Sequence, residues 1–114
     1  MKRTKVTLVP LVVAVAAFFA VLPRGGGDAV IRMVAEGDGF AFDPSELTVG
    51  PGARIRVEND TTATHSFQTG SGIVDLGDIQ PGQTLFFEVA DSGTLDFFCR
   101  YHTSEGMNGQ LTVS

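Results

Sequence analysis

From residue 29 onward the chain alternates short apolar-polar runs with glycine- and proline-containing turns, and this pattern restricts the fold more than any other feature. Arg54 to Glu58 shows the period of two that is typical of a strand with one buried face. Comparable runs occupy residues 29–35, 40–42 and 47–49 on either side of Pro44, 64–69, 73–76, 84–89, 94–99 and 109–113. Strands of this length and spacing predict an all-β sandwich or barrel, with no helix of note.

Parity along two of these strands places chemically distinctive residues on buried faces. His65 shares a face with Phe67, and Cys99 shares a face with Leu95 and Phe97. Both side chains are therefore expected to point into the sandwich near one of its ends. A thiolate there is shielded from water and oxidants.

The nine residues from Cys99 to Met107 combine a thiolate, the imidazole of His102 and a thioether. Two imidazoles and a thiolate, with a weak axial methionine, form a blue-copper site. The chain holds one other histidine, His65, so the fold has to close such a site. Taken singly, each residue has an ordinary alternative: a core histidine, a buried cysteine, a core-filling methionine, or half of a zinc site formed by Cys99 and His102.

The Cys-x2-His-x4-Met spacing resembles the copper loop of the cupredoxins, and is similar to that of plastocyanin and pseudoazurin. The resemblance covers residues 29–114. It includes the motifs Phe40-Ala41-Phe42-x-Pro44-x-x-Leu47-Thr48-Val49, Gly52 and Val57-Glu58-Asn59-Asp60. It implies a Greek-key β-sandwich of about eight short strands. It also implies one copper ion, cycling between Cu(I) and Cu(II), with the ligands His65, Cys99, His102 and Met107.

Several residues around the implied site differ from the usual family pattern. Ser66 stands where plastocyanin-like proteins often have Asn, and its hydroxyl either bonds across to the cysteine loop or faces solvent. Phe98 replaces a common Tyr, while Arg100 and Tyr101 replace a small residue and Pro. Asn59 matches a family position that pins the loop before the first histidine, consistent with its capacity for Asx turns.

The ligand count restricts the function to carriage of electrons or of copper. Multicopper oxidases and copper nitrite reductases need more histidines than the two present, and a two-copper electron-entry centre needs a second cysteine. The protein is therefore expected not to be an enzyme. The favoured hypothesis is a one-electron carrier; copper carriage or sequestration without a dedicated redox partner is the alternative.

Charge limits the possible partners of the domain. From Asp28 onward, four arginines oppose thirteen acidic residues, a formal charge of −9. This excess argues against nucleic acid and anionic membrane as partners of the domain. It indicates either solubility alone or attraction to a basic-faced redox protein, such as a cytochrome or an oxidase. The domain is expected to be a monomer.

The N-terminus is typical of an exported protein. Residues 1–5 are basic and residues 6–22 are apolar apart from Thr7 and Pro10. Residues 1–24 are therefore predicted to be a helical signal peptide or an uncleaved membrane anchor, and residues 25–28 a glycine-rich linker before the domain at 29–114. The predicted location is periplasmic or at the extracellular face of a membrane, with membrane contact only through this segment.

Overall fold

A computed structural model of the protein describes residues 28–114, and within that range the fold is all-β, as predicted. These residues form nine strands in two sheets, and one 3-10 turn among them spans Thr103–Glu105. The strands are β1 (Asp28–Glu36), β2 (Gly39–Asp43), β3 (Glu46–Val49), β4 (Arg54–Asn59), β5 (His65–Thr69), β6 (Asp75–Ile79), β7 (Thr84–Glu88), β8 (Gly93–Phe98) and β9 (Asn108–Val113).

The two sheets have four and five strands. The first has the order β2-β1-β4-β7 and the second β3-β9-β8-β5-β6. Strands β1 and β4 pair in parallel, as do β3 and β9, whereas the other neighbours are antiparallel. Because β5 and β8 are antiparallel neighbours, the start of β5 and the end of β8 lie at the same end of the sandwich.

Pro44 separates two strands that belong to different sheets. Strand β2 is an edge of the four-stranded sheet, and β3 is an edge of the five-stranded sheet. Proline lacks the N–H that a continuous ladder needs, so the chain can leave one sheet here and join the other. Both strands that flank Pro44 are therefore sheet edges, and the nine strands of residues 28–114 compare with an expected number of about eight.

Aromatic rings from both sheets fill the core. The Phe42 ring meets those of Phe67 and Phe97 edge-on, with centroids 5.8 and 5.0 Å apart. Phe67 and Phe97 stack at 5.0 Å, and Phe87 lies 5.4 Å from Phe67. Four side chains of β1 and β4 are fully buried beside them: Ile31, Met33, Ile55 and Val57.

The predicted strand at residues 73–76 is displaced toward the C-terminus. The observed strand begins at Asp75, and Ile73 is 76% exposed. Two hydrogen bonds between Thr69 and Val74 close the intervening turn. The Thr69 N–H donates to the Val74 carbonyl at 2.9 Å, and the Val74 N–H donates to the Thr69 hydroxyl at 3.1 Å. The prediction that the strand begins at Ile73 is therefore wrong. It rested on the apolar character of Ile73, whereas the turn hydrogen bonds hold this residue in a loop.

The predicted signal or anchor helix and most of the linker lie outside the described residues. Within residues 28–114, no helix is long and apolar enough to cross a membrane.

Gly109 is required where β9 passes under the core aromatics. A Cβ atom there would meet the Ser45 carbonyl oxygen and would lie 2.5 Å from Cζ of Phe97. We expect Gly109→Ala to lower the free energy of unfolding by at least about 2 kcal/mol, because the contacts involve backbone and a packed ring. Gly70→Ala is the matched control, since a Cβ at Gly70 meets no atom within 4 Å. Urea unfolding of both variants tests this, and equal losses would contradict it.

Candidate metal centre

Three side chains able to bind a metal meet at the end of the sandwich where β5 begins and β8 ends. His65 is the first residue of β5, Cys99 directly follows β8, and His102 lies in the loop between Cys99 and the 3-10 turn. Antiparallel pairing of β5 with β8 brings the distant His65 to this loop. The fold therefore brings together three of the four residues that the resemblance implies as ligands.

The donor atoms of this cluster converge. His65 Nδ1 lies 3.8 Å from Cys99 Sγ, and His102 Nδ1 lies 3.5 Å from the same sulfur. The ligand atoms of all three residues lie within 4.8 Å of one another. His65 and Cys99 are fully buried, whereas His102 is partly exposed.

These separations fit one ion bound by all three side chains. Metal–nitrogen and metal–sulfur bonds of about 2.0 and 2.3 Å, the values for zinc, place nitrogen and sulfur about 3.7 Å apart when they meet near 120°. The observed distances of 3.5 and 3.8 Å bracket that value. Two imidazoles with a thiolate form the donor set that copper favours, and His65, Cys99 and His102 are arranged as a copper-binding site.

Met107 is fully buried and its backbone is joined to two members of the cluster. Its carbonyl accepts from the Cys99 N–H at 3.2 Å, and its own N–H donates to the His102 carbonyl at 3.2 Å. Gly106, immediately before it, has φ of 89°, a left-handed conformation that glycine adopts without strain. The loop thus returns Met107 to the end of the sandwich that holds the cluster.

Asn59 fixes the loop that precedes His65. Its buried side-chain amide donates to the carbonyls of Ala63 and Ile79, both at 2.8 Å. Its Oδ1 accepts from the Thr61 N–H at 3.0 Å, which forms an Asx turn. The sequence-based prediction for Asn59 is therefore confirmed.

Thr61 determines which nitrogen of His65 is free to bind a metal. The Thr61 hydroxyl lies 2.9 Å from His65 Nε2 and 2.7 Å from Asn59 Oδ1, and the Ala63 carbonyl is 3.1 Å away. Both of these oxygens only accept, so the single hydroxyl proton goes to one of them. The hydroxyl oxygen must then accept from Nε2–H, which leaves the lone pair of Nδ1 directed at Cys99.

The environment of His65 favours its neutral, metal-binding form. Burial lowers the pKa of His65 below its usual value, and positive charge on His102 lowers it further. A neutral imidazole is the state that coordinates a metal. Folding therefore favours the protonation state in which His65 can bind a metal.

Ser66 connects β5 to the cysteine in two ways. Its backbone N–H lies 3.4 Å from Cys99 Sγ, and its buried hydroxyl accepts from the Arg100 N–H at 2.9 Å. The same hydroxyl donates to Oε1 of Gln68 at 2.9 Å. Of the two alternatives for Ser66, the bond across to the cysteine loop is correct. Donation to the sulfur stabilises a thiolate, which is one way in which proteins tune a bound metal.

Sequence reasoning missed two residues that contact the histidines. Phe40 lies beside both rings, with centroids 4.5 Å from His65 and 5.0 Å from His102. Thr61 carries the tautomer-determining hydroxyl. The Asx-turn signal at Asn59 could have drawn attention to Thr61, because such a turn engages the residue two positions later. Phe40 belongs to a motif that carries the cupredoxin resemblance, but no sequence signal placed its ring beside the histidines.

Comparison with known proteins agrees with this geometry. The cupredoxin-like domain family matches residues 9–113. Plastocyanin A/B of Petroselinum crispum is 27% identical over 75% of this chain and all of its own length. Chloroplastic plastocyanin of Oryza sativa subsp. indica is 30% identical over 90% of this chain and 73% of its own length.

Among solved structures, a purple cupredoxin from Nitrosopumilus maritimus superposes with a TM-score of 0.65 at 21% identity. The match covers 76% of this chain and all of that one, and it supports the fold alone. The family match extends over nearly the whole sequence and includes every residue of the metal cluster. This chain belongs to the cupredoxin family.

Proposed function

We propose that the protein is a blue-copper electron carrier that works outside the cytoplasm and binds one copper ion through His65, Cys99, His102 and Met107. The convergence of two Nδ1 atoms on a buried Cys99 sulfur carries this proposal. When bound, copper supplies a one-electron change between Cu(I) and Cu(II). Met107 is fully buried, its backbone bonds to Cys99 and His102, and its thioether would supply a weak fourth ligand.

The protein's contribution is to hold the donors in place while the charge at the site changes. His65 is fixed by Thr61 and Asn59, and Cys99 receives an N–H from Ser66. Groups that are already bonded need little rearrangement when an electron arrives or leaves. Burial of the sulfur also excludes water and oxidants from the thiolate.

The partial exposure of His102 favours electron transfer over copper storage. Cys99 and His65 are fully buried, so His102 offers a contact between the site and a docked partner. A protein that only stores copper gains nothing from fast electron exchange through such a contact. Copper carriage or sequestration remains the alternative function, and a fast electron self-exchange rate would exclude it.

The distribution of charge supports a basic-faced redox partner such as a cytochrome or an oxidase. Arg32 and Arg56 on β1 and β4 form ion pairs with Glu58, and the guanidinium of Arg54 lies over the Phe86 ring. The strands of the five-stranded sheet expose Glu46, Asp75, Asp78 and Asp96 and contain no arginine or lysine, although Asp78 pairs with Arg100 of the following loop. These strands carry a formal charge of −4, against −2 for the other sheet with its five acids and three arginines, and this difference gives a cationic partner a preferred side.

Export follows from the basic and apolar N-terminal residues, which are either cleaved as a signal or retained as an anchor. Any membrane contact is then made by that segment alone. All four proposed ligands come from a single chain, so a monomer suffices for the site. Mass spectrometry of the protein recovered from its native membrane and soluble fractions distinguishes cleavage from retention.

Adding Cu(II) to the purified apo-domain should produce an intense visible thiolate-to-copper band, and Cys99→Ser should abolish it. Only the Cys99 sulfur can supply that charge transfer, because the chain has a single cysteine. Absorption spectroscopy of both proteins is the test. A band that persists in the serine variant, or that is absent from the wild type, would refute the blue-copper assignment.

Met107→Leu should retain copper and raise the reduction potential, since loss of the axial thioether favours the reduced ion. Leucine preserves the apolar volume at this buried position, so the fold should be retained. Protein-film voltammetry measures the potential. An unchanged value would show that Met107 only packs.

Thr61→Val should weaken copper binding by about 10- to 100-fold, because His65 loses the hydrogen bond that fixes its ring and tautomer. Thr62→Val, at the exposed neighbouring position, is the matched control. Competition with a chromophoric copper chelator measures both affinities. Equal affinities for the two variants would contradict the role assigned to Thr61.

The second-order rate of electron transfer with a cationic redox protein should fall as ionic strength rises. Exposed charges lose their attraction beyond a Debye length of about 10 Å at 0.1 M salt. Stopped-flow measurements over a salt series test this, with an anionic redox protein as the control. A rate that does not change with salt would show that the acidic surface does not attract the partner and contributes only to solubility.

A further inference from the structure

The two residues between Cys99 and His102 are held from the side by a pair of residues on β5 and β6. Ser66 and Asp78 are directly opposed in the register of these strands. The Ser66 hydroxyl accepts from the Arg100 backbone N–H at 2.9 Å. One carboxylate oxygen of Asp78 accepts from the Arg100 guanidinium at 2.6 Å and from the Tyr101 hydroxyl at 2.7 Å. We call these three contacts the Ser66–Asp78 clamp.

The clamp restrains both residues of the Arg100-Tyr101 dipeptide. Arg100 is held through its backbone and its side chain, and Tyr101 through its ring hydroxyl. The guanidinium of Arg100 also lies over the Tyr101 ring, 5.4 Å from its centroid. The dipeptide is the covalent link between Cys99 and His102, and the His102 N–H donates to the Cys99 carbonyl at 3.1 Å. Fixing the dipeptide therefore limits how far His102 Nδ1 can move from the sulfur, which is 3.5 Å away.

The contacts of Asp78 are suited to fixing the position of Arg100 and Tyr101 rather than to stabilising the fold. The Asp78 and Arg100 side chains are 39% and 48% exposed, and ion pairs at such exposure contribute little to folding stability. The bonds from Tyr101 and Arg100 lower the pKa of Asp78, so it stays an ionised acceptor into the acidic range. The buried Ser66 hydroxyl supplies the shielded part of the clamp.

We propose that Ser66 and Asp78 are positioning residues that keep His102 in one place relative to Cys99 in both oxidation states of the site, and thereby raise the rate of electron transfer. The proposal rests on the proposed electron-carrier function. A histidine that shifts with each electron must rearrange at each transfer, which slows the exchange.

The first test uses the apo-protein, so that it does not depend on bound metal. Amide hydrogen exchange is followed by NMR in the wild type, Ser66→Ala and Asp78→Ala. Ser66→Ala should lower the protection of the Arg100 amide by about tenfold, since that amide loses its acceptor. Asp78→Ala should lower protection at His102, whose N–H donates to the Cys99 carbonyl at 3.1 Å. Asp96→Ala is the control, because this exposed acid on β8 accepts from Gln110 and does not contact the loop.

The second test measures electron self-exchange in the copper-loaded proteins, where charge and clamp predict opposite signs. Asp78→Ala and Asp96→Ala each remove one negative charge from an acidic domain, which by charge alone brings two copies together faster. If the clamp acts as proposed, Asp78→Ala slows self-exchange several-fold, whereas Asp96→Ala does not. Tyr101→Phe retains the charge, loses one contact of the clamp and should show an intermediate slowing.

Similar amide protection in Asp78→Ala and Asp96→Ala would overturn the clamp. So would equal self-exchange rates in Asp78→Ala and the charge-matched Asp96→Ala, even with loosened amides. A wild-type protein without a blue-copper spectrum would instead overturn the proposed function itself. The variants at Asp78, Asp96 and Tyr101 change exposed side chains, so loss of the fold is not expected to obscure the comparison.

Discussion

The antiparallel pairing of β5 with β8 is the interaction on which the metal centre depends. It carries His65, which is 34 residues from Cys99 in sequence, to within 3.8 Å of the cysteine sulfur. The backbone ladder fixes which ends of the strands meet, and the aromatic core between the sheets fixes which faces turn inward. A slip of one residue along either strand would turn its ligand away from the core. The register of this pair therefore determines whether the metal site forms.

Burying a histidine and an asparagine at this end is acceptable only because their polar atoms have partners. An unpaired buried polar group costs about 1–3 kcal/mol, which is a substantial fraction of the stability of a small domain. Asn59 uses both its amide and its oxygen, and Thr61 joins that oxygen to His65. The network that satisfies these groups also directs Nδ1 of His65 toward the sulfur. Stability and ligand preparation thus come from the same hydrogen bonds.

The sequence predicted those features that follow from local periodicity. Alternation identified the inward faces of His65 and Cys99, and the spacing of the cysteine loop indicated the donor set. Features that depend on contacts between distant segments were missed or displaced. Phe40 reaches the histidines only because β2 lies across the sandwich from β5, and Ile73 is exposed because the Thr69–Val74 turn fixes the loop that contains it. Periodicity specifies a face, but it does not specify which side chain of another strand lies opposite.

Arg100 and Tyr101 show how one constraint can be met by different chemistry. The cupredoxin pattern more usually has a small residue and a proline here, and proline restricts the loop covalently by fixing φ. This chain lacks that ring, yet Ser66 and Asp78 hold the same two positions through three hydrogen bonds. A proline would restrain the loop regardless of the neighbouring strands. The hydrogen bonds from Ser66 and Asp78 form only when β5 and β6 are in register. The precision of the loop therefore depends on the edge of the sheet, and a change at Asp78, which does not contact either histidine directly, can reach the metal centre through Arg100 and Tyr101.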